Sequence, residues 1–190
     1  KGCHMGRITF SLGGARSGKS SFAQNLATRL SVGSAGGVTY LATATAEDEE
    51  MKLRIARHRD NRPAEWKTIE EPRDAAGALS GVNSAVVIVD CLTLLVTNII
   101  LEQGADQQDG SPDLEKLEQM VMREIDDILG QCRRMRGKAL LISNEVGMAV
   151  EPPTPLGRTF RDIAGRVNQR VAGEAEEVYF LLAGLAQRLK

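Results

Sequence analysis

Histidine is almost missing from this sequence. Only His4 and His58 occur in 190 residues, and His4 lies in the leading stretch KGCHMG, which reads as an expression-tag remnant over residues 1–6. Cysteine is nearly as scarce. With Cys3 set aside, Cys91 and Cys132 are too few and too badly spaced for a disulfide framework or a zinc site, and both are expected in or near the core as small hydrophobes. No apolar run approaches the ~20 residues that cross a bilayer. The amino terminus also lacks the h-region and cleavage site of a signal peptide, so the chain is expected to be soluble and cytoplasmic. Neither charge is in excess: 24 Lys and Arg against 25 Asp and Glu leave a net charge of −1. That balance supplies no global field toward nucleic acid or an anionic membrane, and binding must be local.

What the sequence does hold is an alternation. RITFSL (7–12), VTYLAT (38–43), AVVIVD (85–90), ALLIS (139–143) and EVYFLLA (177–183) read as strands. Helical segments are expected over about 19–30, 46–60, 72–80, 91–103, 113–135 and 156–175. Such alternation predicts an α/β fold, a mostly parallel sheet with helices on both faces, in one domain over 7–190. The runs at 85–90 and 139–143 are almost wholly apolar and are expected at the heart of the sheet. SVGSAGG (31–37) and QGADQQDGSPD (103–113) read as surface loops. No internal repeat or low-complexity tract is present.

Directly after the first strand, Gly13, Gly18, Lys19 and Ser20 match the pattern GxxxxGK[ST] of a P-loop, with a strand before it and an amphipathic helix after it. In such a loop, glycines let successive N–H groups converge on one anion and the helix terminus adds partial positive charge. Lys19 would bridge the β and γ phosphates, and the Ser20 hydroxyl would ligate Mg²⁺. A glycine-rich turn is the plainer alternative. Arg16 inside the loop is assigned either to phosphate or to solvent. Asp90, closing an apolar strand, fits a Walker B carboxylate or a strand-end turn former. Thr93 and Asn98 are expected to face the site or to cap a helix.

RIARHRDNRP (54–63) packs four arginines around His58. Thr45 and Asp48 have capping-box spacing, so a helix is expected from 46 toward Pro63, with Met51, Ile55 and His58 on one face and Arg54 flanking it. A packing histidine is the ordinary reading of such a position. Neighbouring cations, however, lower an imidazole pKa that starts at about 6.5, and a neutral ring nitrogen is what a nucleophile requires. The same arginines would hold phosphate oxygens while the imidazole attacks an α-phosphorus. A second chemistry, nucleotidyl transfer through a phosphoramidate, therefore stands beside the one the P-loop implies.

Taken together, GGARSGKS, YLATA, DEEMKLRIARHRDNRPAEWKTIEEP, VDCLTLLVTN, ISNEVGMAVEP and GRTFRDIAGRVNQRVAGEAEEVYFLLAGL resemble the bifunctional adenosylcobinamide kinase/adenosylcobinamide-phosphate guanylyltransferase family of cobalamin biosynthesis, over residues 7–190. The resemblance implies a RecA-like P-loop fold and a homotrimer in which a neighbouring subunit completes the site. It also implies two reactions, phosphorylation of the corrinoid adenosylcobinamide by ATP or GTP, then transfer of GMP from GTP to the product through a guanylyl-histidine. Carried onto this chain, it makes His58 and Lys19 catalytic. It assigns nucleotide binding to Gly13, Gly14, Ala15, Arg16, Ser17, Gly18, Lys19, Ser20, Thr43, Ala44, Thr45, Arg59, Asp60, Asn61, Arg62, Glu70 and Asp90, with Ser20 and Asp90 on Mg²⁺. Three departures stand out: Arg57 occupies a position where some members carry a second histidine, Asp90 one where some have Glu, and EPPTPLGRTFRD is unusually proline-rich. Along 158–170, Arg161 and Arg166 are expected to reach a phosphate or a partner subunit, with a solvated helix face as the alternative. Glu145 is expected to orient substrate or metal, or to close a loop salt bridge. The competing functions are a P-loop kinase of another small alcohol and a RecA-type nucleotide-dependent regulatory protein.

Overall fold

The computed structural model describes residues 6–45, 49–60, 62–104 and 113–190; within 49–60 the side chains of residues 50, 51, 54, 57 and 58 lie outside that description. In chain order the elements are β1 (Arg7–Gly13), α1 (Lys19–Ser31), β2 (Val38–Ala42), α2 (Glu49–Asp60), β3 (Lys67–Glu70), α3 (Ala75–Leu79), β4 (Val86–Asp90), α4 (Leu92–Glu102), α5 (Leu114–Arg134), β5 (Lys138–Asn144), α6 (Pro155–Glu174), β6 (Glu177–Leu182) and β7 (Leu185–Arg188). They form an α/β fold around one seven-stranded sheet of order β3-β2-β4-β5-β1-β6-β7. Strands β1 to β6 run parallel, and β7 turns back against β6. Among the described residues, no helix is long and apolar enough to cross a membrane.

Successive residues of a strand face opposite sides, and here both sides are buried. Ile8, Phe10, Leu41, Val87, Val89, Ala139 and Leu141 point into the layer shared with α4, α5 and α6. Tyr40, Val86, Ile88, Leu140 and Ile142 point into the layer under α1, against Ala23 and Ala27. That two-sided burial explains why β4 and β5 read as continuous apolar runs, and they do lie at the middle of the sheet, as expected. Helix α5 buries Leu117, Val121, Ile125, Ile128, Leu129 and Cys132 at helical spacing, and Asp113 caps it by accepting from Lys116 N at 3.1 Å. Helix α6 begins at Pro155 behind the cap Thr154, whose hydroxyl accepts from Gly157 N at 3.1 Å.

Two strands were absent from the sequence reading. Strand β3 is four residues long and mostly exposed, so it carries no apolar run to announce it. Strand β7 is exposed throughout and is held by its hairpin partner. The expected helix over 72–80 is a single short turn, α3, capped by Asp74 accepting from Gly77 N at 2.8 Å. The expected helix start at 46 and the capping box through Asp48 fall outside the described residues, as does most of the loop read over 103–113. Both cysteines named above are buried and free.

The edge of the sheet where β1 and β6 begin is tied together by Arg133, which reaches the carbonyls of Gly6 and Glu174 and the carboxylate of Glu176. Glu176 also accepts from Ile8 N at 2.7 Å. Burial pushes this carboxyl up, but the Arg133 and Ile8 hydrogen bonds and the guanidinium charge outweigh it, so its pKa lies below the ordinary 4.5. A lowered carboxylate pKa stabilises the folded chain above the unfolded value, and that stabilisation is lost as the pH falls through the folded one. The urea midpoint is therefore expected to drop on acidification below 4.5. Glu176→Gln should start from a lower midpoint at neutral pH and lose that part of the acid sensitivity; an unchanged pH profile in the variant would contradict the assignment.

Candidate active site

In a parallel sheet the loops that can form a site gather where the strands end. Strand β1 ends in Gly13, and the chain curls through Gly14–Gly18 into α1. Gly18 has φ 99°, a left-handed conformation that admits glycine readily, and a Cβ there would also meet Gly184 Cα at 3.1 Å. A Cβ on Gly13 would fall 2.4 Å from the Leu181 carbonyl. The loop is thus seated against the β6–β7 hairpin, whose turn residues Ala183 and Gly184 have φ 50° and 82°, and Gly184 N donates to Ser17 O at 3.0 Å. Arg16 is exposed with φ 57°.

Lys19 is 7% exposed. Its ammonium donates to Gly14 O at 2.6 Å and to Ser17 Oγ at 3.4 Å, which holds it inside the loop whose backbone it would share with an anion. Ser20 follows in the first turn of α1, half-buried.

The neighbouring strand ends are laced together by neutral polar side chains. Thr43, just past β2, donates its hydroxyl to Cys91 O at 2.7 Å and accepts from Cys91 N at 2.8 Å. Asn98 of α4 donates to Thr43 O at 2.8 Å and to Pro72 O at 2.9 Å. Thr93 accepts from Asn144 N at 2.6 Å and meets Ser143 Oγ at 3.1 Å, while Asn168 of α6 donates to Asn144 O at 3.1 Å. The Thr93 and Asn98 side chains thus brace the backbone at these strand ends and do not cap a helix. Glu145 closes a tight turn, accepting from Gly147 N at 2.5 Å, and its own N–H donates to Gly13 O at 2.9 Å.

Asp90 ends β4, with a half-buried carboxylate that accepts from the Tyr40 hydroxyl. In register Ala42 stands opposite Asp90, so Tyr40, two residues earlier on the same face, reaches it diagonally. Burial foremost, and then the Asp90 charge, holds the Tyr40 phenol well above its ordinary range, so the hydroxyl keeps its proton and donates. The same burial, with the Asp90 charge beside it, pushes the Cys91 thiol up to about 11.

The Arg62 guanidinium lies over the Tyr40 ring, 3.7 Å from its centroid. Arg59 pairs with Glu70 at 2.6 Å, joining the end of α2 to β3. The structure therefore brings Arg62, Tyr40 and Asp90 into one chain of contacts, and Arg59 and Glu70 into another. The His58 side chain and all of Asn61 lie outside the described residues, and Asp60 is exposed. Arg166 pairs with Glu118, Arg170 with Asp126 and Glu174 at 2.8 Å each, and Arg161 with Asp162 at 3.2 Å. Most of that basic face is thus spent on ion pairs within the chain. Sequence reasoning missed Tyr40 and the bracing role of Thr93 and Asn98. The one available signal for Tyr40 was a phenol set in the otherwise apolar strand VTYLA.

A family model described as cobinamide kinase / cobinamide phosphate guanyltransferase matches residues 9–189. Among curated proteins, the bifunctional adenosylcobalamin biosynthesis protein CobU of Escherichia coli K12 is 39% identical over 180 residues, covering 94% of this chain and 97% of the relative. The corresponding protein CobP of Pseudomonas aeruginosa is 41% identical over 181 residues, covering 94% and 95%. CobU of Salmonella typhimurium is 38% identical over 180 residues.

Asn98 satisfies two carbonyls with one buried amide. Asn98→Ala is expected to lower unfolding free energy by about 1–3 kcal/mol, because acceptors left unpaired carry their full desolvation cost; guanidinium unfolding of the variant checks it.

Proposed function

The chain belongs to the cobinamide kinase / cobinamide phosphate guanyltransferase family, and from that premise we propose how its residues divide two reactions between them. It is a bifunctional adenosylcobinamide kinase and guanylyltransferase of cobalamin biosynthesis. The fold reading is RecA-like, with residues 7–190 as one catalytic domain and a homotrimer as the assembly.

In the first reaction the hydroxyl of the corrinoid side chain releases its proton to solvent as its oxygen bonds to the γ-phosphorus of ATP or GTP, and the bond from that phosphorus to the β–γ bridging oxygen breaks, so that the nucleoside diphosphate leaves. Gly13 to Gly18 present backbone N–H groups to the phosphates, and Lys19, already confined in the loop, meets the charge that develops on the transferred group. In the second, a ring nitrogen of His58 bonds to the α-phosphorus of GTP and pyrophosphate leaves. A phosphate oxygen of the phosphorylated corrinoid then displaces the imidazole and takes the GMP. Arg62 holds the phosphate oxygens, while Thr43, Ala44, Thr45, Asp60, Asn61 and the paired Arg59 and Glu70 complete the nucleotide pocket.

Ser20 and Asp90 suit Mg²⁺, a hard cation that takes oxygen donors and keeps much of its shell from phosphate and water. Among the described residues no cluster of three or more His, Cys, Asp or Glu competes for it. When bound, the ion would neutralise phosphate charge. The chain's own part is to hold one hydroxyl, in the first turn of α1, and one carboxylate, at the end of β4.

The observation that carries this division is the contact chain from Asp90 through Tyr40 to Arg62. It joins the end of the segment bearing His58 to Asp90 at the end of β4, on the sheet edge where the phosphate loop also leaves β1, and on our reading both chemistries draw on one nucleotide site. GTP labelled at the α-phosphorus tests it. The denatured wild-type protein is expected to retain acid-labile, alkali-stable label, and His58→Ala to retain none; active wild-type protein that carries no label would refute the covalent step. Lys19→Ala is expected to slow the kinase reaction by about a hundredfold, the scale for losing one preorganised charge-stabilising group.

A further inference from the structure

Tyr40 is 1% exposed, and its hydroxyl and ring face different functional groups. The hydroxyl donates to Asp90 Oδ2, with Gln24 of α1 reaching the same phenol oxygen. One carboxylate oxygen is thereby engaged, which fixes the plane of the group and the direction of the other oxygen. The ring carries the Arg62 guanidinium at 3.7 Å. Among the described residues Arg62 has no carboxylate partner: its Nε is buried without a hydrogen bond, and Nη1 has only a long contact of 3.5 Å to Thr68 Oγ1. An arginine held on an aromatic face keeps its full charge and its donors for another anion, whereas one held by a carboxylate is neutralised. Arg59, three residues earlier, is the contrast, since Glu70 neutralises it.

We infer that Tyr40 is a positioning residue serving both halves of the reaction, aiming the Asp90 carboxylate through its hydroxyl and seating Arg62 for the nucleotide phosphates through its ring. The inference rests on the nucleotide site proposed above. It assigns to one buried phenol a division of labour that its two chemical parts can be made to reveal separately.

Tyr40→Phe keeps the ring and removes the hydroxyl, Arg62→Met removes the cation and leaves the phenol, and Tyr40→Leu removes both supports. Two binding measurements on the whole protein separate them. The first is Mn²⁺ affinity, read by electron paramagnetic resonance at saturating GTP analogue with a methylene α–β bridge. The second is affinity for a fluorescent GTP analogue in EDTA. Tyr40→Phe is expected to weaken Mn²⁺ binding about tenfold, the scale of one hydrogen bond to a charged group, with metal-free nucleotide affinity within about twofold of wild type. Arg62→Met is expected to do the reverse, and Tyr40→Leu to weaken both. Adding Tyr40→Leu to Arg62→Met should cost no further metal-free affinity, because the ring then has no cation to seat.

A Tyr40→Phe protein with wild-type Mn²⁺ affinity, or Arg62→Met with wild-type metal-free affinity, would overturn the assignment. If Tyr40→Leu does not fold, as a thermal melt would show, those two variants still decide it. Wild-type protein that binds Mn²⁺ and nucleotide yet carries no GMP would remove the covalent step proposed above while leaving the role of Tyr40 standing.

Discussion

Burying a parallel sheet on both faces places a constraint on everything around it. Successive parallel strands must be joined by crossovers, and the six parallel strands β1 to β6 therefore end at the same edge. At that edge the backbone leaves the ladder, and its N–H and C=O groups need new partners in a place where water has limited access. Thr43, Thr93, Asn98 and Asn168 supply them, each bonding to the backbone of a neighbouring strand end. None of these four is charged. They give the edge directional hydrogen bonds without the desolvation cost of buried ions.

On that braced edge, the charged groups fall into two kinds. Arg62 is confined by an aromatic face, with no carboxylate partner among the described residues. Arg59, Arg166 and Arg170 instead pair with acids at the surface. Exposed pairs of this kind add little to stability because water and salt screen them; their service is to fix the spacing of neighbouring elements. A polyphosphate gains most from cations that are held in place yet not neutralised, which is what the first kind offers.

The phosphate loop depends on a further contact far away in sequence. Gly13 approaches the β6–β7 hairpin too closely for a side chain, and a Cβ on Gly18 would press on Gly184, while the turn at Ala183 and Gly184 returns a hydrogen bond to Ser17. A P-loop pattern specifies how the backbone curls. What it curls against is supplied by the last strands of the chain.

Much of the fold was written in local pattern. The β-branched runs of β1, β2, β4, β5 and β6, the spacing of apolar residues in α5, and the glycines and lysine of the phosphate loop each follow from the intrinsic geometry of a strand, a helix or an anion cradle, and a neighbour within a few residues suffices to declare them. Strands β3 and β7 were invisible because their apolar content is low and pairing alone makes them strands. The residues 105–112 and 46–48 lie outside the described chain, so the pattern there stands by itself. Local sequence marked Asp90, Arg62 and His58 as chemistry-bearing residues. It did not show that a phenol would stand between Asp90 and Arg62, because that depends on the register of β2 against β4 and on the return of the chain after α2. Residue types and their periods are local quantities that the sequence settles by itself; which buried polar group meets which partner is a property of packed strands, and only the tertiary structure decides it.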